Sequence, residues 1–398
     1  MNNFTFYSTE YYSEEYIVTL IKNKIQENLY LDYKRELKLE GSEERKEFLY
    51  DISSFANSEG GIIIFGIDED RNTGLPSEII GIPAPNVDSL IQKIESIIES
   101  SIQPRITNIA IKIIEISGKI ILTIIIPKSL GMPHMVTFRS TNKFYKRRNS
   151  GKYLVDIYEL NRMFMQNNEL QEKSNKFVYD RITSLQKNEL NPNFLIRNST
   201  LVHIVPLSFS QNHNQIPLTK RDDYQKIFDS FIGLMTYSQR HHNFDGYIMY
   251  YFSPEYKKIT CFLQIFRNGV IELFSDIYCG KAGPNDDRLL FFADNFEEDC
   301  IEFVTKAINF YKEMDLFDPL LIYINLLEQT NVRLYSQSRF RFPEPIGRDH
   351  IKIPPVLFKN YEEDITKILK PAFDVIWQSS GIEKSINYND LGERILKK

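Results

Sequence analysis

Three observations predict that the chain forms an α+β fold with two domains. The chain has 398 residues, more than one hydrophobic core usually organises. Apolar residues make up 42% and charged residues 25%, a composition typical of globular chains. Helical and strand patterns alternate on both sides of a polar stretch. We therefore predict a mixed-sheet domain with flanking helices over residues 1–165, a helical connector over 166–193 and a second α+β domain over 194–398.

The N-terminal domain is organised around a helix that ends at a glycine pair and leads into a strand. Between residues 44 and 58, apolar side chains recur every three or four positions, the period of an amphipathic helix. Gly60 and Gly61 end this helix, because a residue without a Cβ atom readily adopts the left-handed conformation of a helix C-terminus. The apolar run over 62–67 has no polar alternation, which predicts a strand buried on both faces.

Further periodic segments surround this helix and strand. Apolar spacing predicts helices at 13–25 and 87–102, alternation predicts a strand within 27–39, and Ser117-Gly118 joins strands 106–116 and 119–126 into a hairpin. In the C-terminal domain we predict strands at 200–206, 246–251, 258–266, 270–274 and 320–327, and helices at 296–311 and 361–377. Pro371 is expected to kink the last helix, because proline lacks a backbone donor.

Charge and cysteine usage narrow the class of protein. A net charge of −5 argues against a generally basic nucleic-acid coat but allows a local basic site. Cys261, Cys279 and Cys300 are odd in number and widely spaced, which favours a reducing compartment. The N-terminal residues lack a secretory pattern, and no apolar run is long enough for a membrane span. We expect a cytoplasmic protein without a membrane partner. The sequence contains no GxxxxGK[ST] motif, which argues against a P-loop nucleotide site.

Acidic residues suggest a first candidate site, at Glu27, Asp32, Lys34 and Asp68. Asp32 and Lys34 are two residues apart on one strand face, and Asp68 follows the buried strand. Nucleases combine carboxylates that hold a divalent cation with a lysine that stabilises developing charge. The alternatives are a surface ion pair on an exposed strand and a solvated turn around Asp68.

A second candidate site is the basic segment 139–152, which contains no acidic residue although the chain as a whole is acidic. Such a segment could contact phosphates while its aromatic side chains stack on bases; a solvated basic loop is the alternative. The candidate nucleic-acid-binding residues are Lys143, Tyr145, Lys146, Arg147, Arg148 and Lys152.

Four segments together resemble the Schlafen AlbA-type domain: Leu31–Lys34, Asp51–Asp68, Phe144–Lys152 and Ile157–Leu160. The resemblance covers about residues 15–165, is most specific in the central stretch and does not extend to the C-terminal half. It implies a nucleic-acid-binding fold found in bacterial regulators and antiviral defence proteins. Some relatives are instead described simply as DNA-binding or ATP-binding.

Schlafen proteins proper are metal-dependent endoribonucleases that cut tRNA, and the resemblance places their acidic triad at Glu27, Asp32 and Asp68. It thereby implies Mg or Mn as cofactor and Lys34 as a catalytic residue. Asp32 stands where glutamate is usual and is one methylene shorter. Those ribonucleases also use two related lobes, whereas this chain has one copy of the Schlafen-like domain. A homodimer could supply the second lobe.

We therefore expect a nucleic-acid-binding protein that prefers RNA to DNA and could be a Mg- or Mn-dependent endoribonuclease. The alternative is a non-catalytic DNA-binding regulator or scaffold that uses the same basic segment. We expect the C-terminal domain to sense a ligand or partner, or to support oligomerisation.

Overall fold

The computed structural model describes residues 13–395, except 71–72, 107, 150, 188, 190–193, 195, 211–215, 217–237, 315, 317, 337–343, 360 and 362. The chain divides into two compact units, Met1–Glu169 and Leu170–Lys398. Each unit combines helices with sheets, so the α+β prediction is confirmed. Part of the predicted connector, at 188 and 190–193, lies outside the described residues.

The N-terminal unit follows the predicted alternation of helices and strands. Its helices are α1 (Glu14–Lys22), α2 (Ser42–Ala56), α3 (Val87–Ser101) and the first part of α4 (Ile157–Gln186). Its strands are β1 (Leu31–Lys34), β2 (Gly61–Phe65), β3 (Ile67–Glu69), β4 (Pro76–Ile79), β5 (Ile102–Gln103), β6 (Ala110–Ile116), β7 (Lys119–Ile126), β8 (Met135–Val136), β9 (Lys143–Arg148) and β10 (Gly151–Leu154).

A four-stranded sheet in the order β1-β2-β7-β6 is covered on both faces. β1 runs parallel to β2, and the other neighbouring strands are antiparallel. Ile63 and Phe65 of β2 pack with α2 and α3, while Ile62 and Ile64 pack on the opposite face with α1. The prediction that β2 is buried on both faces is therefore confirmed.

Two glycines determine where α2 and β2 end. Gly60 has φ +72°, and a Cβ atom there would lie 2.5 Å from the backbone nitrogen of Lys128. Gly66, at φ +98°, turns the chain out of the central sheet, so the apolar run predicted as one strand divides into β2 and β3. β3 then pairs with β4 in a separate two-stranded sheet.

The strand expected within residues 27–39 is shorter than the sequence pattern indicated. β1 contains only Leu31–Lys34, and Lys34 pairs with Phe65, the last residue of β2. Beyond this point β1 loses its neighbour, because Gly66 redirects the partner chain. A strand requires a paired backbone, so the alternating side chains after Lys34 do not extend it.

The basic segment forms an antiparallel β-hairpin. β9 and β10 pair from Arg148 opposite Gly151 to Tyr145 opposite Leu154. The hairpin belongs to a second sheet in the order β10-β9-β8-β5. Because successive side chains of a strand point to opposite faces, it presents an inner face with Tyr145, Arg147 and Lys152 and an outer face with Lys146, Arg148 and Tyr153.

The C-terminal unit is built around an eight-stranded sheet in the order β12-β13-β14-β15-β11-β18-β20, with β21 also paired to β18. A three-stranded sheet has the order β16-β17-β19. The strands are β11 (Ser199–Pro206), β12 (Ser238–His242), β13 (Gly246–Ser253), β14 (Lys258–Phe266), β15 (Ile271–Ser275), β16 (Cys279–Gly283), β17 (Asp286–Phe292), β18 (Leu320–Leu327), β19 (Val332–Tyr335), β20 (His350–Lys352) and β21 (Val356–Phe358). The helices after β17 are α5 (Ala293–Glu313) and α6 (Ile365–Gln378).

The two faces of the eight-stranded sheet differ in polarity. One face packs against α5 and α6 in a large apolar core that includes Trp377. The other carries buried polar side chains such as His203 and Glu272, which contact residues of α4. The last helix begins at Ile365, later than expected, because Asp364 caps it by accepting a hydrogen bond from the Thr366 N–H. Pro371 lies inside this helix.

In the described part of the chain, no helix has the length and apolar character needed to cross a membrane.

Candidate nucleic-acid interface

The two candidate residues of β1, Asp32 and Lys34, lie on one face of the strand and form an ion pair. The Nζ atom of Lys34 lies 2.6 Å from Oδ1 of Asp32, and Nη1 of Arg147 lies 2.7 Å from Oδ2. Asp32 is only 2% exposed. Each carboxylate oxygen of Asp32 therefore has its own cation, which compensates for the burial of the negative charge.

Arg147 joins three parts of the N-terminal unit. Its backbone N–H donates to the hydroxyl of Ser58, at 2.8 Å, and its guanidinium carbon lies 4.2 Å from the centroid of the Phe55 ring. Its Nη2 donates to the carbonyl of Leu31 at 3.4 Å. Arg147 is 6% exposed, so this candidate phosphate ligand is buried among α2, β1 and β9.

A second buried carboxylate, Asp51 of α2, extends this network. Nζ of Lys152 lies 2.7 Å from Asp51 Oδ1 and 2.8 Å from Glu47 Oε2. Burial raises the pKa of Asp51, and the charges of Lys152 and Lys34 oppose that shift. We call the five residues Asp32, Lys34, Asp51, Arg147 and Lys152 the charged cluster.

Glu27 is close enough to Asp32 for the two carboxyl groups to share a proton. Burial, followed by a hydrogen bond to Asp32 and the charge of Asp32, raises the pKa of Glu27 to about 8. Burial opposes ionisation of Asp32, but the hydrogen bond from Glu27 and the charges of Lys34 and Arg147 hold its pKa below the ordinary value. At neutral pH the pair therefore carries its negative charge on Asp32, with Glu27 largely protonated.

Asp68 does not join Glu27 and Asp32. It lies on β3 and forms an ion pair with Arg35. Among the described residues, no group of three or more His, Cys, Asp or Glu side chains is arranged to hold a metal ion. In this arrangement the predicted triad does not fit a divalent cation, because Asp32 is engaged by two cations and Asp68 by a third.

The outer face of the β9–β10 hairpin is more accessible than its inner face. Arg148 is exposed, and its guanidinium carbon lies 4.0 Å from the centroid of the Tyr153 ring. Glu159 of α4 accepts a hydrogen bond from the Tyr153 hydroxyl, at 2.8 Å, and pairs with Lys146 at 3.0 Å. Lys143, at the start of β9, is also exposed, although strand alternation places it on the same face as Tyr145 and Arg147.

Tyr145 points inward and contacts another tyrosine. Its ring centroid lies 4.2 Å from that of Tyr50 of α2. Burial, with a smaller contribution from Tyr50, raises the pKa of Tyr145 to about 12. Like Arg147 and Lys152, this candidate residue contacts α2 on the inner face of the hairpin.

Sequence reasoning did not single out Asn57, which connects α2 to the hairpin sheet. Its Nδ2 donates to the carbonyls of His134 and Tyr145 at 2.9 and 3.0 Å, and its Oδ1 accepts from the His134 N–H at 2.7 Å. The sequence offered one signal, since Asn57 is a polar residue between the last apolar helix position and the glycine pair. Tyr153 and Glu159 were also missed, because their contact depends on how α4 follows β10.

Residues 27–156 match the family described as Schlafen, AlbA_2. The match falls on the stretch whose sequence motifs resemble the Schlafen AlbA-type domain, and this domain family suggests nucleic-acid binding. The match ends before the C-terminal unit begins.

Two solved structures are similar to part of the chain. One is the DIP2311 protein from Corynebacterium diphtheriae, with 19% identity and a TM-score of 0.25, where the match covers 35% of this chain and 26% of that one. The other is the N-terminal domain of a RecG-related protein from Nitrosomonas europaea, with 18% identity, a TM-score of 0.27, and coverage of 33% of this chain and 86% of that one. The match thus spans about a quarter of the C. diphtheriae protein's length. No curated protein matches the chain.

Proposed function

We propose that the N-terminal unit binds nucleic acid along the exposed part of the β9–β10 hairpin, with RNA as the first candidate ligand and DNA as the second. The observation that carries this proposal is the position of Arg148 and Lys143, two exposed cations on the hairpin of a Schlafen AlbA-type domain. Exposed cations of this kind neutralise phosphates, and the counterions condensed on the nucleic acid are then released.

The pairing of the other basic residues supports a division of labour within the segment. Arg147 and Lys152 neutralise Asp32 and Asp51, and Lys146 pairs with Glu159. A cation whose charge is already balanced by a nearby carboxylate attracts a phosphate less strongly. Within β9 and β10, Lys143 and Arg148 therefore contribute most of the attraction, while Lys146, Arg147 and Lys152 hold the hairpin in place. Arg139, which precedes β9, is a further exposed cation of the segment.

Binding of labelled RNA and DNA to the full chain tests this proposal. We expect the double variant Lys143→Gln/Arg148→Gln to bind about tenfold more weakly at low salt, with a salt slope smaller by about two. The matched control is Lys281→Gln/Lys384→Gln, which removes two exposed charges from the C-terminal unit and should leave binding unchanged. Equal affinity for the hairpin variant and the wild type would remove this surface from the interface.

RNA cleavage with Mg or Mn stays a prediction within the same proposal. Support for it is limited to the pair of Glu27 and Asp32 beside Lys34, because Asp68 is bound to Arg35. Incubating total tRNA with Mg, with Mn and with EDTA, followed by a denaturing gel, tests for metal-dependent cuts. Glu27→Gln is a cleaner variant than Asp32→Asn, because a neutral residue at position 32 would leave Arg147 buried and unpaired. Metal-dependent cuts that persist in Glu27→Gln would remove this pair from the reaction. Intact tRNA under all conditions would favour the non-catalytic binding module.

A further inference from the structure

We propose that Arg148, whose guanidinium lies over the Tyr153 ring, is a stacking platform for one unpaired base, so that the hairpin selects single-stranded over duplex nucleic acid. This inference rests on the proposed function and adds the class of ligand to it. The sequence did not distinguish Arg148 from Arg147, because the two residues are adjacent and chemically identical.

The platform has a fixed base. The guanidinium carbon of Arg148 lies 4.0 Å from the centroid of the Tyr153 ring. The Tyr153 hydroxyl donates to Oε1 of Glu159 at 2.8 Å, and Lys146 holds the same oxygen from 3.0 Å. Burial works against the charge of Glu159, but these two hydrogen bonds keep its pKa below the ordinary value, so it remains an acceptor at neutral pH. Tyr153 is therefore held at its hydroxyl end, and its ring supports the guanidinium.

The space beside the platform is open. The residue opposite Arg148 in the hairpin is Gly151, which has φ +120° and no side chain. A Cβ atom at Gly151 would meet no atom of the described chain within 4 Å. Arg148 is exposed and its guanidinium contacts Tyr153, so a further planar group can reach the guanidinium from solvent.

Arg147 also contacts an aromatic ring, but it is buried and therefore differs from Arg148 in its access to a ligand. Its guanidinium also lies on an aromatic ring, at 4.2 Å from the centroid of Phe55, but the residue is 6% exposed and paired with Asp32. No ligand can reach that plane without displacing the core. The alternation of the strand therefore places one arginine of the pair in the core and the other on the surface.

The chemistry of the exposed plane favours an unpaired base. Nucleobases stack on arginine planes and aromatic rings, a contact that tolerates any base because each has a π-face. Bases within a duplex already have neighbours on both faces and cannot take part in such a contact without unstacking. Lys143, at the other end of β9, would contact a phosphate of either kind of strand.

Arg148→Lys tests the inference, because it keeps the positive charge and removes the plane. We expect the full-length variant to bind a single strand of about 15 nucleotides some tenfold more weakly than the wild type, and the corresponding duplex equally well. A strand carrying 2-aminopurine should lose fluorescence when its base stacks on the wild-type protein and should not do so with Arg148→Lys. Lys143→Gln is the matched control: it should weaken single-strand and duplex binding to the same extent, since it removes only a phosphate contact.

The outcomes separate this inference from the proposed function. If the wild type binds neither single strands nor duplexes, both fail. If it binds them but Arg148→Lys weakens single-strand and duplex binding equally, or retains the quenching of 2-aminopurine, the platform is refuted while nucleic-acid binding stands. Far-UV circular dichroism of each variant should match the wild type, because Arg148 is exposed.

Discussion

Both units of the chain bury carboxylates beside cations, but the two arrangements differ in their access to solvent. In the C-terminal unit, Glu272 accepts from Arg181 at 2.6 Å and from His203 at 2.8 Å. Glu272 and His203 have side chains that are 0% exposed, and the Arg181 side chain is 12% exposed. In the charged cluster of the N-terminal unit, the Lys34 and Lys152 side chains remain 37% and 21% exposed.

This difference indicates two uses of the same chemistry. Burial opposes the charge of Glu272, yet Arg181 and His203 lower its pKa to about 2, so this enclosed carboxylate is ionised and attaches α4 to the sheet. The charged cluster instead has lysines that reach the surface near the proposed interface. A sealed cluster contributes to stability alone, whereas a cluster with exposed cations also adds to the local potential that a ligand encounters.

Removing Glu272 should have one of the two largest effects on stability. Glu272→Ala leaves the largely buried Arg181 with only the more distant carboxylate of Asp245, at 3.4 Å, and removes the partner of His203. We expect the free energy of unfolding of the C-terminal unit to fall by about 3 kcal/mol. The chain has one tryptophan, Trp377 of α6, so its fluorescence in urea reports on this unit. Asp287→Ala, which breaks an exposed pair with Lys281, is the control and should change stability little. Similar losses for the two variants would contradict the contrast between sealed and exposed pairs.

The two adjacent arginines of β9 offer a comparison within the N-terminal unit. Arg147→Met leaves Asp32 with Lys34 as its remaining cation, and we expect a loss of about 3 kcal/mol. Arg148→Met should leave stability nearly unchanged and weaken nucleic-acid binding. Far-UV circular dichroism in urea should record the Arg147→Met change, while the Trp377 transition stays as in the wild type. A stable Arg147→Met protein would show that Arg147 is not a structural ion-pair partner.

The N-terminal unit should also lose stability in mild acid through His134. Burial lowers the pKa of His134 from 6.5 to about 4, although a hydrogen bond to the Pro104 carbonyl opposes the shift. Because the unfolded chain binds this proton at a higher pH than the folded chain, stability falls as the pH drops from about 6.5 to about 4, and by about 2 kcal/mol between pH 7 and pH 5. Urea unfolding followed by circular dichroism at pH 7 and pH 5 measures the effect. His134→Gln should flatten it, and an unchanged pH dependence in that variant would refute the assignment.

The smallest effect is expected at Lys34. Its side chain is 37% exposed, and Asp32 retains Arg147 when Lys34 is lost. We expect Lys34→Met to lower stability by about 1 kcal/mol or less, because solvent screens the pair. A loss equal to that of Arg147→Met would show that the two cations of Asp32 are equivalent. The same urea series measured for Arg147→Met gives the comparison directly.

The sequence by itself determined most of the local structure. Periodic apolar residues located α2, α3 and the strands on either side of Ser117-Gly118, and the glycine pair marked the end of α2. These features follow from side-chain periodicity and backbone freedom within a few neighbouring residues, which can be inspected without knowing the fold. The same segments also carried the resemblance that the family match supports.

Only the tertiary structure decided what the charged residues do. A run of basic residues in a sequence does not show which carboxylate each one contacts. Arg147 and Arg148 are therefore equivalent in the sequence, and only the packing of β9 against α2 distinguishes them. In the same way, Asp32 and Asp68 were candidate metal ligands in the sequence, but in the structure Lys34 and Arg147 pair with Asp32 and Arg35 pairs with Asp68. Burial and long-range contact set the charge state and accessibility of these groups, and both arise from parts of the chain distant in sequence.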